Sequence, residues 1–260
     1  MKIKEVIAAL EHFAPLPLQE GWDNAGLQVG LTEADVSGAL LCLDVNEQIV
    51  EEAIAKGCNL IVSHHPLIFH KLAHVCGCSY VERAVMNAIR NGIAILSMHT
   101  NMDNARGGVN FRMADRLGLK DVEFLLPSET HPGSGSGAVG NLPVPMEAAG
   151  FVDFVKETFR VECAQCNRLL ERPVQRVALC GGAGAFLLDN ALAAGADAFI
   201  TGEMHYHEFF GHEQDIQIAV IGHYQSEQYT NEIFRDIISS ACPGVKCHLA
   251  ETMTNPISYL

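Results

Sequence analysis

Cationic side chains are scarce in this chain. Lysine and arginine number 17 against 31 aspartates and glutamates, a formal net charge of −14. Proteins that grip duplex nucleic acid present a basic face. Here the few Lys and Arg residues are scattered, so direct duplex binding is not expected. Long hydrophobic runs are missing too. None approaches the roughly 18 residues that a bilayer span requires, and no membrane association is expected. The start, Met1-Lys2-Ile3-Lys4-Glu5-Val6-Ile7, lacks an apolar secretory core and soon meets Glu11 and His12. A cytoplasmic location is the expectation. Matched cysteine pairs are also lacking. The nine cysteines are an odd number, and the only close pairs are Cys76-x-Cys78 and Cys163-x-x-Cys166. No second pair stands at zinc-ribbon spacing. Free thiols are the default in a reducing compartment. A redox role for Cys163 and Cys166 would require a depressed thiol pKa there.

What is present in quantity is a pattern of short apolar runs that end in metal-competent side chains. Ile61-Val62-Ser63 runs into His64-His65-Pro66. Ile93-Ala94-Ile95-Leu96-Ser97 leads to His99 and Asp103. Ala198-Phe199-Ile200-Thr201 leads to Glu203, His205, His207 and Glu208, and Ile218-Ala219-Val220-Ile221 leads to His223 and Glu227. In open α/β sheets, sites gather outside the carboxyl ends of the strands. Four strands ending in this way point to a metal centre. In regular β geometry adjacent side chains face opposite ways, so His64 and His65 should not chelate one ion. Each can serve a different metal, or the chain can twist beyond the strand, which Pro66 favours by restricting His65. The bland alternative is one buried, hydrogen-bonded histidine beside one exposed one.

The chain also repeats itself. Residues 53–63 and 191–201 both read as a helix end, a glycine (Gly57, Gly195), a polar turn and a buried strand. A strand and a helix precede each, and a further strand follows at 93–97 or 218–222. The expected fold is therefore α/β: two similar halves built of strand-helix-strand repeats. The metal site is expected at the C-terminal strand ends. The Pro- and Gly-rich stretch from Pro127 to Pro145 is the natural border. This gives a first half of 1–127 plus 226–260, with an N-terminal loop and a C-terminal helix, and a second half of 128–225. A helix is expected from Met146 to Phe159, and a long one from Ser226 to Ser240.

Two segments admit two readings each. Gly181-Gly182-Ala183-Gly184, between a strand and a helix, can cradle a phosphate with its amides. Close packing of helix on sheet explains the glycines equally well. Trp22-Asp23-Asn24 surrounds the sole tryptophan. It can line a pocket, with Trp22 stacked on a planar ligand, or it can be a loop packed on the core.

Taken together, Gly21-Trp22-Asp23-Asn24-Ala25-Gly26-Leu27-Gln28-Val29-Gly30, Ser63-His64-His65-Pro66, His99-Thr100-Asn101-Met102-Asp103 and Gly222-His223-Tyr224-Gln225-Ser226-Glu227 resemble the NGG-interacting-factor-three family. Bacterial members of that family are often labelled GTP cyclohydrolase I type 2 homologues. The resemblance spans essentially the whole chain and matches the short bacterial form without an inserted domain. It implies two divalent metal ions held between two α/β halves, in a ring-shaped homo-hexamer. The ligands it implies are His64, His65, Asp103, His223 and Glu227. Glu203, His207 and Asn24 are candidates for supporting positions around them. Three imidazoles and two carboxylates suit zinc, iron or manganese without choosing among them.

Paired metals activate water, so hydrolysis is the default chemistry. The expected activity is that of a metal-dependent hydrolase on a nucleotide, a pterin precursor or another phosphorylated small molecule. His99 is the candidate acid/base, with a buried structural role as its alternative. A non-enzymatic metal-handling or scaffold protein is the alternative function.

Overall fold

The computed structural model describes residues 1–258. The first stretch of chain forms α1 (Ile3–Phe13), β1 (Gly26–Val29), β2 (Ala39–Cys42), α2 (Glu47–Ala55), β3 (Leu60–Ser63), α3 (Tyr80–Arg90), β4 (Ala94–Ser97) and α4 (Thr100–Asp103). The middle forms α5 (Val109–Arg116), β5 (Lys120–Pro127), β6 (Gly135–Met146), α6 (Ala148–Phe159), β7 (Gln165–Cys166), β8 (Val174–Cys180), α7 (Leu188–Ala193), β9 (Ala198–Thr201), β10 (Gln217–Val220) and α8 (His223–Glu227). The last part forms α9 (Thr230–Ala241) and β11 (Cys247–Leu249). These elements make two α/β units, each with its own sheet.

The first unit comprises residues 1–105 and 230–256. Its sheet runs β1-β4-β3-β2-β11. β2, β3 and β4 are parallel, and their last residues, Cys42, Ser63 and Ser97, stand in register. All three strands are buried along their length. That is why they read as unbroken apolar runs rather than alternating ones. Helices cover the sheet through capped, amphipathic turns. Asn46 caps α2 by accepting from the Ile49 amide at 3.0 Å, and α2 buries Ile49, Val50 and Ala53. Ser79 caps α3 in the same manner. The resulting core gathers Leu40, Ile49, Ile61, Ala84 and Ile95.

The second unit comprises residues 106–229 with residues 257 and 258. Its sheet runs β5-β6-β8-β9-β10-β7. β8, β9 and β10 are again parallel, ending in register at Cys180, Thr201 and Val220. β5, β6 and β7 add antiparallel edges. One face packs on α6 through Phe151, Val155 and Phe159. The other buries Leu187, Leu188, Ala191 and Phe199.

Some details differ from the sequence reading. The units part at 105/106, not at 127/128, because β5 pairs along β6 and so belongs to the second sheet. The expected helix from Ser226 to Ser240 is two helices: α8 stays with the second unit and α9 returns to the first. The repeat is also imperfect. Between β9 and β10 the chain makes only a 3-10 turn at Tyr206–Phe209. That segment closes at Gly211, which sits at a φ of 83°, a left-handed position that ends helical turns.

Candidate metal centre

Because β2, β3 and β4 end level with one another, the residues just beyond them share one edge of the first sheet. β3 stops at Ser63, and the chain then turns. The amides of His64 and His65 both donate to the Leu43 carbonyl, at 3.1 and 2.9 Å. The Ser63 hydroxyl donates to the His65 carbonyl at 2.9 Å. Strand alternation therefore no longer governs the two histidines. Their ring centroids lie 4.9 Å apart, and with His99 they form a group able to hold a metal ion. Of the alternatives left open by the sequence, the twist beyond the strand end is the one found. α4 is a single turn that carries Asp103 back towards His64, whose Nε2 lies 3.6 Å from Asp103 Oδ1.

Each imidazole is oriented through Nδ1. His64 Nδ1 donates to the Met98 carbonyl at 2.9 Å. His65 Nδ1 faces Asp44 Oδ1 at 2.7 Å, and the Thr254 hydroxyl donates to the other oxygen of Asp44 at 2.8 Å. His99 Nδ1 faces Asp23 Oδ1 at 2.7 Å. Only an N–H can satisfy a carbonyl or a carboxylate, so these contacts assign the proton to Nδ1 and make Nε2 the atom able to take a metal or a proton. Burial pushes the Asp44 carboxyl up, but His65 and Thr254 outweigh it and hold it below the ordinary range. Burial likewise raises Asp23. The His99 and Thr100 hydrogen bonds outweigh it and bring Asp23 down to about 2.

In the second unit the strand ends serve a different purpose. α8 starts at His223 and ends at Glu227, one turn apart, so both side chains lie on one face. His223 Nε2 is 3.1 Å from Glu227 Oε2, and its Nδ1 faces Glu203 Oε1 at 2.9 Å. Glu227 is buried. Room for it comes from the glycine turn after β8. A Cβ on Gly182, which sits at a φ of 60°, would collide with Glu227 Oε1, and one on Gly181 would lie 3.3 Å from Glu227 Cγ. Three of the turn's four amides are already used: Gly181 donates to Asn110, Gly182 to Ser226 and Gly184 to Thr201. Of the two readings of this turn, close packing is the one the hydrogen bonds favour.

The remaining candidates fall as follows. Glu203 orients His223. His207 is exposed and stacks on Phe210 at 6.0 Å, so its visible role is local packing. Asn24 Nδ2 donates to the Ile68 carbonyl at 2.6 Å and works as a strut between loops. Cys163 is exposed, and burial pushes the Cys166 thiol up to about 11, the wrong direction for a reactive thiolate. Sequence reasoning missed Asp44 as the partner of His65 and Thr254 behind it. Asp44 follows β2 just as His65 follows β3, so the strand-end rule would have found it. Nothing in the sequence marks Thr254.

A family model described as Duf34/NIF3 (NGG1p interacting factor 3) matches residues 1–256. The chain belongs to the Duf34/NIF3 family. It is 35% identical over 263 residues to a GTP cyclohydrolase 1 type 2 homolog of Lactococcus lactis, covering 98% of both chains. It is 33% identical to NIF3-like protein 1 of Drosophila melanogaster over 87% of this chain and 78% of that one. A hypothetical protein of Staphylococcus aureus shares the fold with a TM-score of 0.92 at 24% identity, covering 100% of this chain and 99% of that one. Among the described residues no helix is long and apolar enough to cross a membrane.

The donors in this Duf34/NIF3 chain fit a divalent metal. Imidazole and carboxylate suit zinc, iron and manganese. The Nδ1 contacts are those that metal-ligating histidines make with their outer partners.

Proposed function

We propose that this protein is a cytoplasmic metal-dependent hydrolase with one dinuclear centre. That centre draws His64, His65 and Asp103 from the first unit and His223 and Glu227 from the second. One observation carries the reading: His64, His65 and His223, the three proposed imidazole ligands, each have Nδ1 engaged by a carbonyl or carboxylate. Core histidines need no such uniform orientation, whereas metal ligands do. The name GTP cyclohydrolase 1 type 2 homolog, borne by several relatives, supports a nucleotide or pterin precursor as substrate, with other phosphorylated small molecules as the wider class. A hexameric ring is part of the proposal and rests on the family resemblance.

Divalent ions, when bound, supply Lewis acidity and make water acidic enough to attack at neutral pH. The chain's own residues do the rest. Glu227 and Asp103 bring negative charge that offsets the repulsion between two dications. Asp44, Asp23 and Glu203 hold protons at the Nδ1 atoms of His65, His99 and His223. His99 keeps its proton against Asp23, so its Nε2 is the atom that takes a proton from water or returns one to a leaving group.

Elemental analysis of the purified protein, followed by turnover assays with GTP, other nucleotides and phosphoesters, tests this. Two equivalents of metal and chelator-sensitive turnover are expected. A fully loaded protein that turns over nothing in the panel would instead support metal handling or scaffolding. The family's description as an interacting factor favours that second reading.

A further inference from the structure

Two large aromatic side chains stand in solvent beside the histidine cluster of the first unit. Trp22 is 63% exposed and Phe69 44% exposed. Their ring centroids are 6.0 Å apart, and the Trp22 ring meets His99 edge-on at 6.0 Å. Phe69 lies 6.3 Å from the same imidazole. Single exposed apolar residues are ordinary. This pair differs because its mounting is rigid. Asp23, next to Trp22, accepts from His99 Nδ1 and from the Thr100 amide at 3.1 Å. Asn24 donates to the Ile68 carbonyl. Gln28 accepts from the Ile68 amide at 3.2 Å and donates to the Asn24 carbonyl at 2.7 Å. The chain just after Trp22 and just before Phe69 is thus tied down, while both rings keep much of their surface in solvent. A loop that served only to pack would bury them.

We propose that Trp22 and Phe69 form a stacking platform for a planar nitrogen heterocycle, the ring end of the substrate handled at the neighbouring histidines. The inference rests on the proposed function for the identity of that substrate, but not for the platform itself. An indole face and a phenyl face tilted by 53° offer a flat ring one stacking surface and one edge contact, both favoured arrangements for aromatic pairs. Stacking tolerates any base, so the platform selects for a ring and not for one nucleobase. A sugar phosphate without a ring gains nothing there.

Trp22 is the sole tryptophan, so its fluorescence reports this place alone. The probes are guanosine, adenosine and pterin, with ribose 5-phosphate as the ringless control, added to chelator-treated and to metal-loaded protein. Saturable quenching of roughly half the emission by at least one ring compound is expected, with no response to ribose 5-phosphate. Phe69→Leu, which keeps the reporter, should weaken that binding by about 5- to 100-fold, the range of base–aromatic stacking. Trp22→Leu should raise KM by a similar factor with little change in kcat.

Absence of quenching by all three rings would overturn the platform. So would equal quenching by ribose 5-phosphate, or an emission maximum that shifts with protein concentration because a second copy covers Trp22. Quenching without turnover of any nucleotide, pterin or phosphoester keeps the platform and sinks the hydrolase. Turnover with an unchanged KM in both variants does the reverse.

Discussion

The two units set the same three parallel strands in the same register and then finish them differently. In the first, the chain beyond the strands brings metal-competent side chains and their partner directly: His64 and His65 after β3, His99 and Asp103 after β4, with Asp44 after β2 facing His65. In the second, the residues after β8 are glycines, and the donors ride on α8 after β10. The first unit is rich in imidazole and partly open. The second contributes a buried carboxylate whose place depends on residues with no side chain. One scaffold can therefore carry ligands or make space for them, and the choice is made within two or three residues of a strand end.

Gly182→Ala puts that contrast to its hardest test. The substitution replaces none of the candidate ligands, yet its Cβ would collide with Glu227 Oε1. The left-handed backbone adds about 1–2 kcal/mol of strain. We expect loss of metal as severe as in Glu227→Gln, which keeps the shape and removes the charge. Glu227→Gln should lose both ions and any activity together without unfolding, whereas Asp103→Ala should mainly harm one ion. Elemental analysis beside circular dichroism reads all three. Two equivalents bound with unchanged affinity in Glu227→Gln would show that Glu227 is no ligand, and attention would pass to Glu203 or Glu208.

The next effect in size concerns the first unit's imidazoles. If their orientation matters, Asp44→Asn should weaken metal binding by about 10- to 100-fold while every ligand remains. Metal titration followed by calorimetry measures this. An affinity equal to the parent's would reduce the Asp44–His65 contact to a surface ion pair.

Much of this was legible in the sequence, and the reason is local. Buried parallel strands announce themselves as apolar runs, and the side chain after the last apolar residue sits at the sheet edge. His64, His65, His99 and His223 could thus be placed without a structure. What the pattern could not carry was anything set by distant chain. The pairing of β5 with β6 decides the unit border, and Thr254 reaches Asp44 from the other end of the sequence. The purpose of Gly182 was equally hidden, because a glycine that makes room for a carboxylate and one that cradles a phosphate are spelled alike.

A smaller effect separates stability from metal binding. In metal-free protein, Asp23 is held at about 2 against an ordinary 3.8. A folded carboxyl with a depressed pKa contributes stability above its unfolded value and loses it as pH falls through the folded one. Asp23→Asn should therefore cost about 2 kcal/mol near neutral pH. The gap to the parent should close between about pH 4 and pH 2. Chemical denaturation across that range checks the sign. A gap that widens towards acid would mean that Asp23 is not stabilised as a carboxylate.

The smallest expected effect is none at all, and it bears on the second unit. Cys163 and Cys166 are its only close pair of thiols, and a soft ligand set there would rival the imidazole–carboxylate centre. The structure weighs against that. Cys163 is exposed, while burial raises Cys166 to about 11, so the thiolate needed for metal binding or exchange is disfavoured. Cys166 sits in β7, an edge strand whose residue pairs with Ala219, and its partly buried side chain packs against the apolar core. Serine keeps the size and removes the sulfur. The double substitution Cys163→Ser and Cys166→Ser should leave metal content and turnover at the parent's level, with a stability cost of about 1 kcal/mol from the partly buried hydroxyl at Cys166. Loss of both metals from a folded double variant would move the centre to the thiols and overturn the assignment of His223 and Glu227.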